Sequence, residues 1–151
     1  DGLIRESGES GNLPSGEGYI APVEDTAEGA IAFDGGLVGV GALDEPIVVR
    51  IESGSVASVE GPSAEQFLEA TAGSDCARRV CELGLGTNAA AGVIGTVLED
   101  EKVYGTCHVA FGDNHGFGGA IECDSHVDGI ALKPDVYLDD TLVVTGGEVV
   151  V

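Results

Sequence analysis

The chain has no methionine and no tryptophan among its 151 residues, and it carries only six lysines and arginines against 27 aspartates and glutamates. The six are Arg5, Arg50, Arg78, Arg79, Lys102 and Lys133, and the formal net charge is -21. A field of that sign repels phosphate backbones and anionic lipid, so binding to nucleic acid or to a membrane surface is not expected. No apolar run reaches the length of a membrane span, and no basic start followed by a hydrophobic stretch marks a signal peptide, which points to the cytoplasm. Four cysteines, Cys76, Cys81, Cys107 and Cys123, form no CxxC and fit neither a zinc ribbon nor a disulfide-dense secreted module. They are expected to be reduced, mostly buried thiols. The missing methionine, with Asp1 as the first residue, implies the loss of an upstream segment and hence the end of a longer polypeptide.

What is present is a folded domain. Hydrophobic residues make up 43% of the chain, and the acid is dispersed between apolar runs rather than gathered in a tail. Scarce lysine with dispersed carboxylates suits a halophilic source, where concentrated salt screens the self-repulsion. The length is that of a single domain over residues 1–151.

After a Gly- and Ser-rich lead-in ending at Pro14-Ser15-Gly16, the pattern becomes strand-like: GYIAP, EGAIAFDGG, LVGVG, PIVVRIESG and SVASVEG, each bounded by Gly, Asp or Pro. Gly54 suggests a tight hairpin. PSAEQFLEATAG reads as a helix with Ser63 as its cap, SDCARRVCELG as a second short helical segment and NAAAGVIG as a helical turn. Strands return with KVYGTCHVAFG and GIALKPDVYLDD, and TLVVTGGEVVV closes the chain as a hairpin around Gly146-Gly147. The class is α+β with β dominant: a meandering, barrel-like antiparallel sheet with one or two short helices.

All three histidines, His108, His115 and His126, fall in one stretch, GTCHVAFGDNHGFGGAIECDSHVDG. Alternation along a strand puts His108 on one face with Thr106 and Ala110, where a ligand has room. In DSHVDG, His126 and Asp128 project to one side with Val127 turned away, an arrangement that suits imidazole and carboxylate ligands of one ion. His115, on the loop GDNHGFGG, is a third ligand, a substrate contact or a solvent-exposed residue. Glu17 and Glu82 sit among glycines and apolar residues, where a carboxylate is costly to bury without a cation. Glu101, in the charged LEDEKVYG, reads by itself as solvated surface.

Taken in order, LPSGEGYIAP, ELGLGTN, DEKVYGTCHVAFG and a GG followed by DSHVDGI resemble the metal-dependent aminopeptidases of the aminopeptidase T and aminopeptidase S type over nearly the whole chain. The part represented resembles that family's C-terminal region, an additional N-terminal domain being expected upstream. The resemblance implies that Glu17, Glu82, Glu101, His108, His126 and Asp128 are metal ligands and that two divalent ions, zinc, cobalt or manganese, activate a water for removal of an N-terminal residue from a peptide substrate. Glu82 would shuttle the proton. It also implies a homodimer. Two positions depart: the stretch between Glu101 and His108 is longer than the family's, and His115 stands where the family has a tyrosine. The sequence is similar, too, to the iron-dependent 2,5-dihydroxypyridine dioxygenases. That likeness would leave His108, His126 and Asp128 holding one ferrous ion, with Glu17 and Glu82 around it. A non-catalytic acidic domain is the remaining alternative.

Overall fold

The computed structural model describes residues 4–151. Its frame is a six-stranded antiparallel sheet in the order β1-β7-β8-β9-β3-β4, with β1 at Glu17–Ile20, β3 at Gly36–Leu37, β4 at Gly41–Ala42, β7 at Val80–Gly86, β8 at Thr106–Gly112 and β9 at His126–Leu132. A three-stranded sheet of β2 (Gly29–Phe33), β5 (Ile47–Glu52) and β6 (Ser55–Glu60) packs beside it. The C-terminal β10 (Val136–Leu138), β11 (Thr141–Thr145) and β12 (Glu148–Val149) form a third. All pairings between these strands are antiparallel, and the sheets do not close into a barrel. The architecture is the expected β-dominant α+β class.

The core follows from alternation. Val109 and Phe111 leave β8 on the side opposite His108 and meet Phe33, Leu37, Ile47, Val49 and Phe67. Phe111 takes Phe33 and Phe67 edge-on, with ring centroids 6.3 and 5.3 Å away. Each such side chain, fully buried, contributes about 1.5–3 kcal/mol. Gly129 on β9 admits the Phe33 ring, since a Cβ there would lie 2.7 Å from it.

Both expected hairpins form. Ser53 and Gly54 adopt positive φ between β5 and β6, and Gly146 and Gly147 do so between β11 and β12. The helix α1 spans Ala64–Ala70 and buries Phe67, but Ser63 makes no side-chain cap bond. The helical reading of SDCARRVCELG holds only as a 3-10 turn at Asp75–Arg78; the rest is β7, because Val80–Gly86 has strands to pair with on both sides. NAAAGVIG forms no helix, and the short α2 lies just beyond it at Val97–Asp100.

One cysteine expectation is corrected. Cys76 and Cys123, 47 residues apart, form a disulfide, because the 3-10 turn before β7 and the loop before β9 converge at one end of the sheet. Cys81 and Cys107 are free and buried. Among the described residues no helix is long and apolar enough to cross a membrane.

Candidate metal centre

One face of the large sheet carries the chemistry, and strand register decides what meets there. Glu82 lies opposite Ala110, which lies opposite Asp128; His108 lies between Gly84 and Ile130; Glu17 lies opposite Gly86. In each row a ligand-type side chain has a very small one beside it, Ala110, Gly84 or Gly86, and the small ones make the room. A Cβ on Gly84 would stand 2.0 Å from His108 Nε2, and one on Gly86 would stand 2.0 Å from the Val103 carbonyl oxygen. The ELGLG stretch of β7 thus supplies one carboxylate and two cradles.

The result is two groups of three. Glu17, Glu101 and His108 offer ligand atoms within 4.8 Å of one another, and so do Glu82, His126 and Asp128. Glu82 joins the groups: its Oε1 lies 3.3 Å from His108 Nε2 and its Oε2 3.2 Å from His126 Nε2. His108 Nε2 is also 3.4 Å from Glu17 Oε2, and His126 Nε2 is 3.5 Å from Asp128 Oδ1. His126 Nδ1 lies 2.8 Å from the Asp113 carbonyl oxygen, to which it donates its hydrogen, leaving Nε2 directed at the carboxylates. His108 Nδ1 is buried without a hydrogen-bond partner among the described residues.

Glu101 belongs to this centre. The charged context of LEDEKVYG suggests a solvated residue, yet only 9% of Glu101 is exposed, because α2 and the following turn fold it down beside β9. His115 is not brought in: it begins a 3-10 turn after β8, its side chain is 64% exposed, and its Nδ1 faces Glu122 at 3.7 Å. Of its three open roles, the solvent-exposed one matches this placement.

Sequence reasoning passed over Lys102. It is fully buried, with Nζ 2.8 Å from Glu17 Oε1 and in contact with Glu101 Oε1. Its signal was available: it is one of two lysines in a strongly acidic chain and follows directly on Glu101. Asp100, also fully buried, accepts the backbone N–H groups of Ile94 and Gly95 at 2.8 and 3.1 Å and so holds the loop before α2.

The electrostatics record a crowd of carboxylates. Burial alone would raise the Glu82 carboxyl, but the hydrogen-bonded His108 and His126 imidazoles outweigh it and hold the group down at about 2. At Glu101 burial prevails over the neighbouring Lys102, and the Asp128 and Glu17 charges add to it, pushing the carboxyl up to about 7. Burial opposes charge on both histidines, yet Glu82, Asp128 and Glu101 raise His108, and Asp128, Cys81 and Glu82 raise His126. Four largely buried carboxylates share one lysine and two imidazoles, and such a donor set fits divalent cations.

A cleft of about 380 Å³ opens over the centre, lined by Glu17, Glu82, Glu101, His126 and Asp128 and walled by apolar and aromatic side chains. Tyr19 and Phe117 form one wall, edge to face at 5.4 Å, and Phe117 also stands against the His126 ring. The site therefore joins a carboxylate and imidazole floor to an apolar mouth, a common plan for small-substrate enzymes.

Comparison with known proteins shows the family and two similar structures. Among solved structures, 2,5-dihydroxypyridine dioxygenase from Pseudomonas putida is similar with TM-score 0.79 and 25% identity, over 87% of this chain and 42% of that one. Wild-type AmpT from Thermus thermophilus is similar with TM-score 0.74 and 27% identity, over 93% of this chain and 41% of that one. The chain thus spans about two fifths of the length of either. No curated protein matches it. A family model described as thermophilic metalloprotease (M29) matches residues 5–124, four fifths of the sequence, and the chain belongs to that metallopeptidase family.

Proposed function

We propose that this chain supplies the metal centre of an aminopeptidase that removes N-terminal residues from peptides. The observation that carries the reading is Glu82, which turns one oxygen to each of two imidazoles in two adjoining ligand groups. Glu17, Glu101 and His108 would hold one divalent ion, and Glu82, His126 and Asp128 a second, with zinc, cobalt or manganese suited to such donors. Bound there, such ions would lower the pKa of water and polarise a carbonyl.

The remaining work falls to the chain. On this reading Glu82, between the groups, would take a proton from the attacking water and pass it to the leaving amine. The Asp113 carbonyl keeps the His126 ring turned so that Nε2 faces the floor of the cleft. Tyr19 and Phe117 limit water at the mouth and provide apolar surface for a substrate side chain.

This reading takes residues 1–151 as one metal-binding domain of a longer, homodimeric aminopeptidase-like chain, as the resemblance implies; the composition points to the cytoplasm, whereas the Cys76–Cys123 disulfide favours an oxidising compartment. The likeness to the dioxygenase supports a second reading, with one ferrous ion on His108, His126 and Asp128. Four carboxylates at the floor exceed what such a centre uses, which favours the peptidase. Elemental analysis of protein purified without chelator, paired with hydrolysis of aminoacyl anilides, tests the choice. About two zinc, cobalt or manganese ions per chain with anilide turnover are expected. A single iron without turnover would refute the peptidase reading.

A further inference from the structure

The two ligand groups are built from the same donors, two carboxylates and one imidazole each, yet their surroundings differ in two independent ways. First, the Glu17–Glu101–His108 group already holds a cation. The Lys102 ammonium contacts both of its carboxylates and is fully buried, whereas no lysine or arginine touches Glu82 or Asp128 among the described ion pairs. The formal charge facing an incoming ion is therefore halved on one side of Glu82 and intact on the other. Second, the imidazoles are differently supported. His126 donates Nδ1–H to the Asp113 carbonyl, while His108 Nδ1 has no partner among the described residues. A hydrogen bond of this kind fixes the tautomer and strengthens a ligand, commonly by tenfold or more in metal affinity.

We infer that Lys102 is a positioning residue that makes the centre fill in order: Glu82, His126 and Asp128 take a divalent cation tightly, and Glu17, Glu101 and His108 take theirs weakly, against the Lys102 charge. The inference rests on the two-ion reading above. Lys102 does not line the cleft, so it acts through the two carboxylates it holds rather than on a substrate. Without it, Glu17 and Glu101 would lose the ammonium they share in the metal-free protein. With it, that protein keeps a preformed floor at the cost of affinity at one group. A centre of this design would work with one resident ion and one that follows the free metal concentration.

Calorimetric titration of the metal-stripped chain with zinc tests this. The wild type is expected to give two steps, the second weaker by about tenfold or more. Lys102→Met should strengthen the weak step by about tenfold and leave the tight one unchanged. Asp128→Asn should abolish the tight step and Glu17→Gln the weak one, which assigns the steps even if the lysine variant fails to fold. Two equal steps in the wild type, the reverse assignment, or a Lys102→Met isotherm no different from wild type would overturn the inference while leaving the two-ion centre standing. No zinc bound by the wild type would instead overturn the two-ion reading, and the inference with it.

Discussion

Gly84→Ala is the sharpest probe of the geometry, because its expected sign is opposite to the usual one. An added methyl in a strand ordinarily stabilises by up to about 1 kcal/mol through the unfolded chain, provided the backbone accepts it. Here the new Cβ would lie 2.0 Å from His108 Nε2 and 2.1 Å from Cε1, well inside any real contact. Gly84 is held between Tyr19 on β1 and His108 on β8, so the strand cannot retreat and the ring must turn away. Overpacking of this kind costs about 1–3 kcal/mol. At this chain length that is roughly 2–4 °C of melting temperature per kcal/mol. The atom displaced is the one that meets Glu17 and Glu82, so zinc affinity should fall as well, by about tenfold or more. Gly18→Ala is the control, since nothing lies within 4 Å of a Cβ there. Thermal melts and zinc titrations of the two variants check both effects. If Gly84→Ala matched Gly18→Ala in stability and in affinity, the placement of His108 over Gly84 would be wrong.

Three further outcomes are expected. His126→Ala should lose the ion held by Glu82, His126 and Asp128, while His115→Ala, on an exposed turn, should keep full occupancy by elemental analysis; loss of metal from the His115 variant would return that residue to the centre. In chelator the folded chain raises Glu101 from 4.5 to about 7, so it binds more protons than the unfolded chain across that window, and stability should fall as pH rises through it. The raised histidines continue the fall above 6.5, and added divalent ion should reverse it by displacing protons; melts that rise from about pH 5 to 7 in chelator would contradict this. Thiol titration should find no fast-reacting group in the native chain: Cys76 and Cys123 are joined, Cys81 is buried and raised, and burial pushes Cys107 up to about 11. Denaturation without reductant should expose those two free thiols alone, and four would refute the disulfide.

Much of the site was legible because strand alternation is a local property. His108 and Ala110, or His126 and Asp128, share a face whatever else the chain does, and a carboxylate set among glycines, as in ELGLG, already asks for a cation. The hairpins at Gly54 and Gly146-Gly147 were readable for the same reason, since the turn demands positive φ where glycine supplies it. Local pattern failed where pairing overrode it. SDCARRVCELG carries a helical rhythm in part, but Val80–Gly86 became a central strand because β1 and β8 flank it.

By itself the sequence determined the β-dominant class, the acidic surface without a membrane-length apolar run, the face on which His108, His126 and Asp128 project, and the order of motifs that marks the family. Only the tertiary structure decided that Glu101 leaves the surface, that Lys102 lies between Glu101 and Glu17, that Cys76 reaches Cys123, and that His115 stays outside. The division has one physical cause. Which side of a strand a residue occupies is fixed by its neighbours in the chain, whereas what shares that side, and whether water reaches it, is fixed by register and by elements packed from far along the sequence.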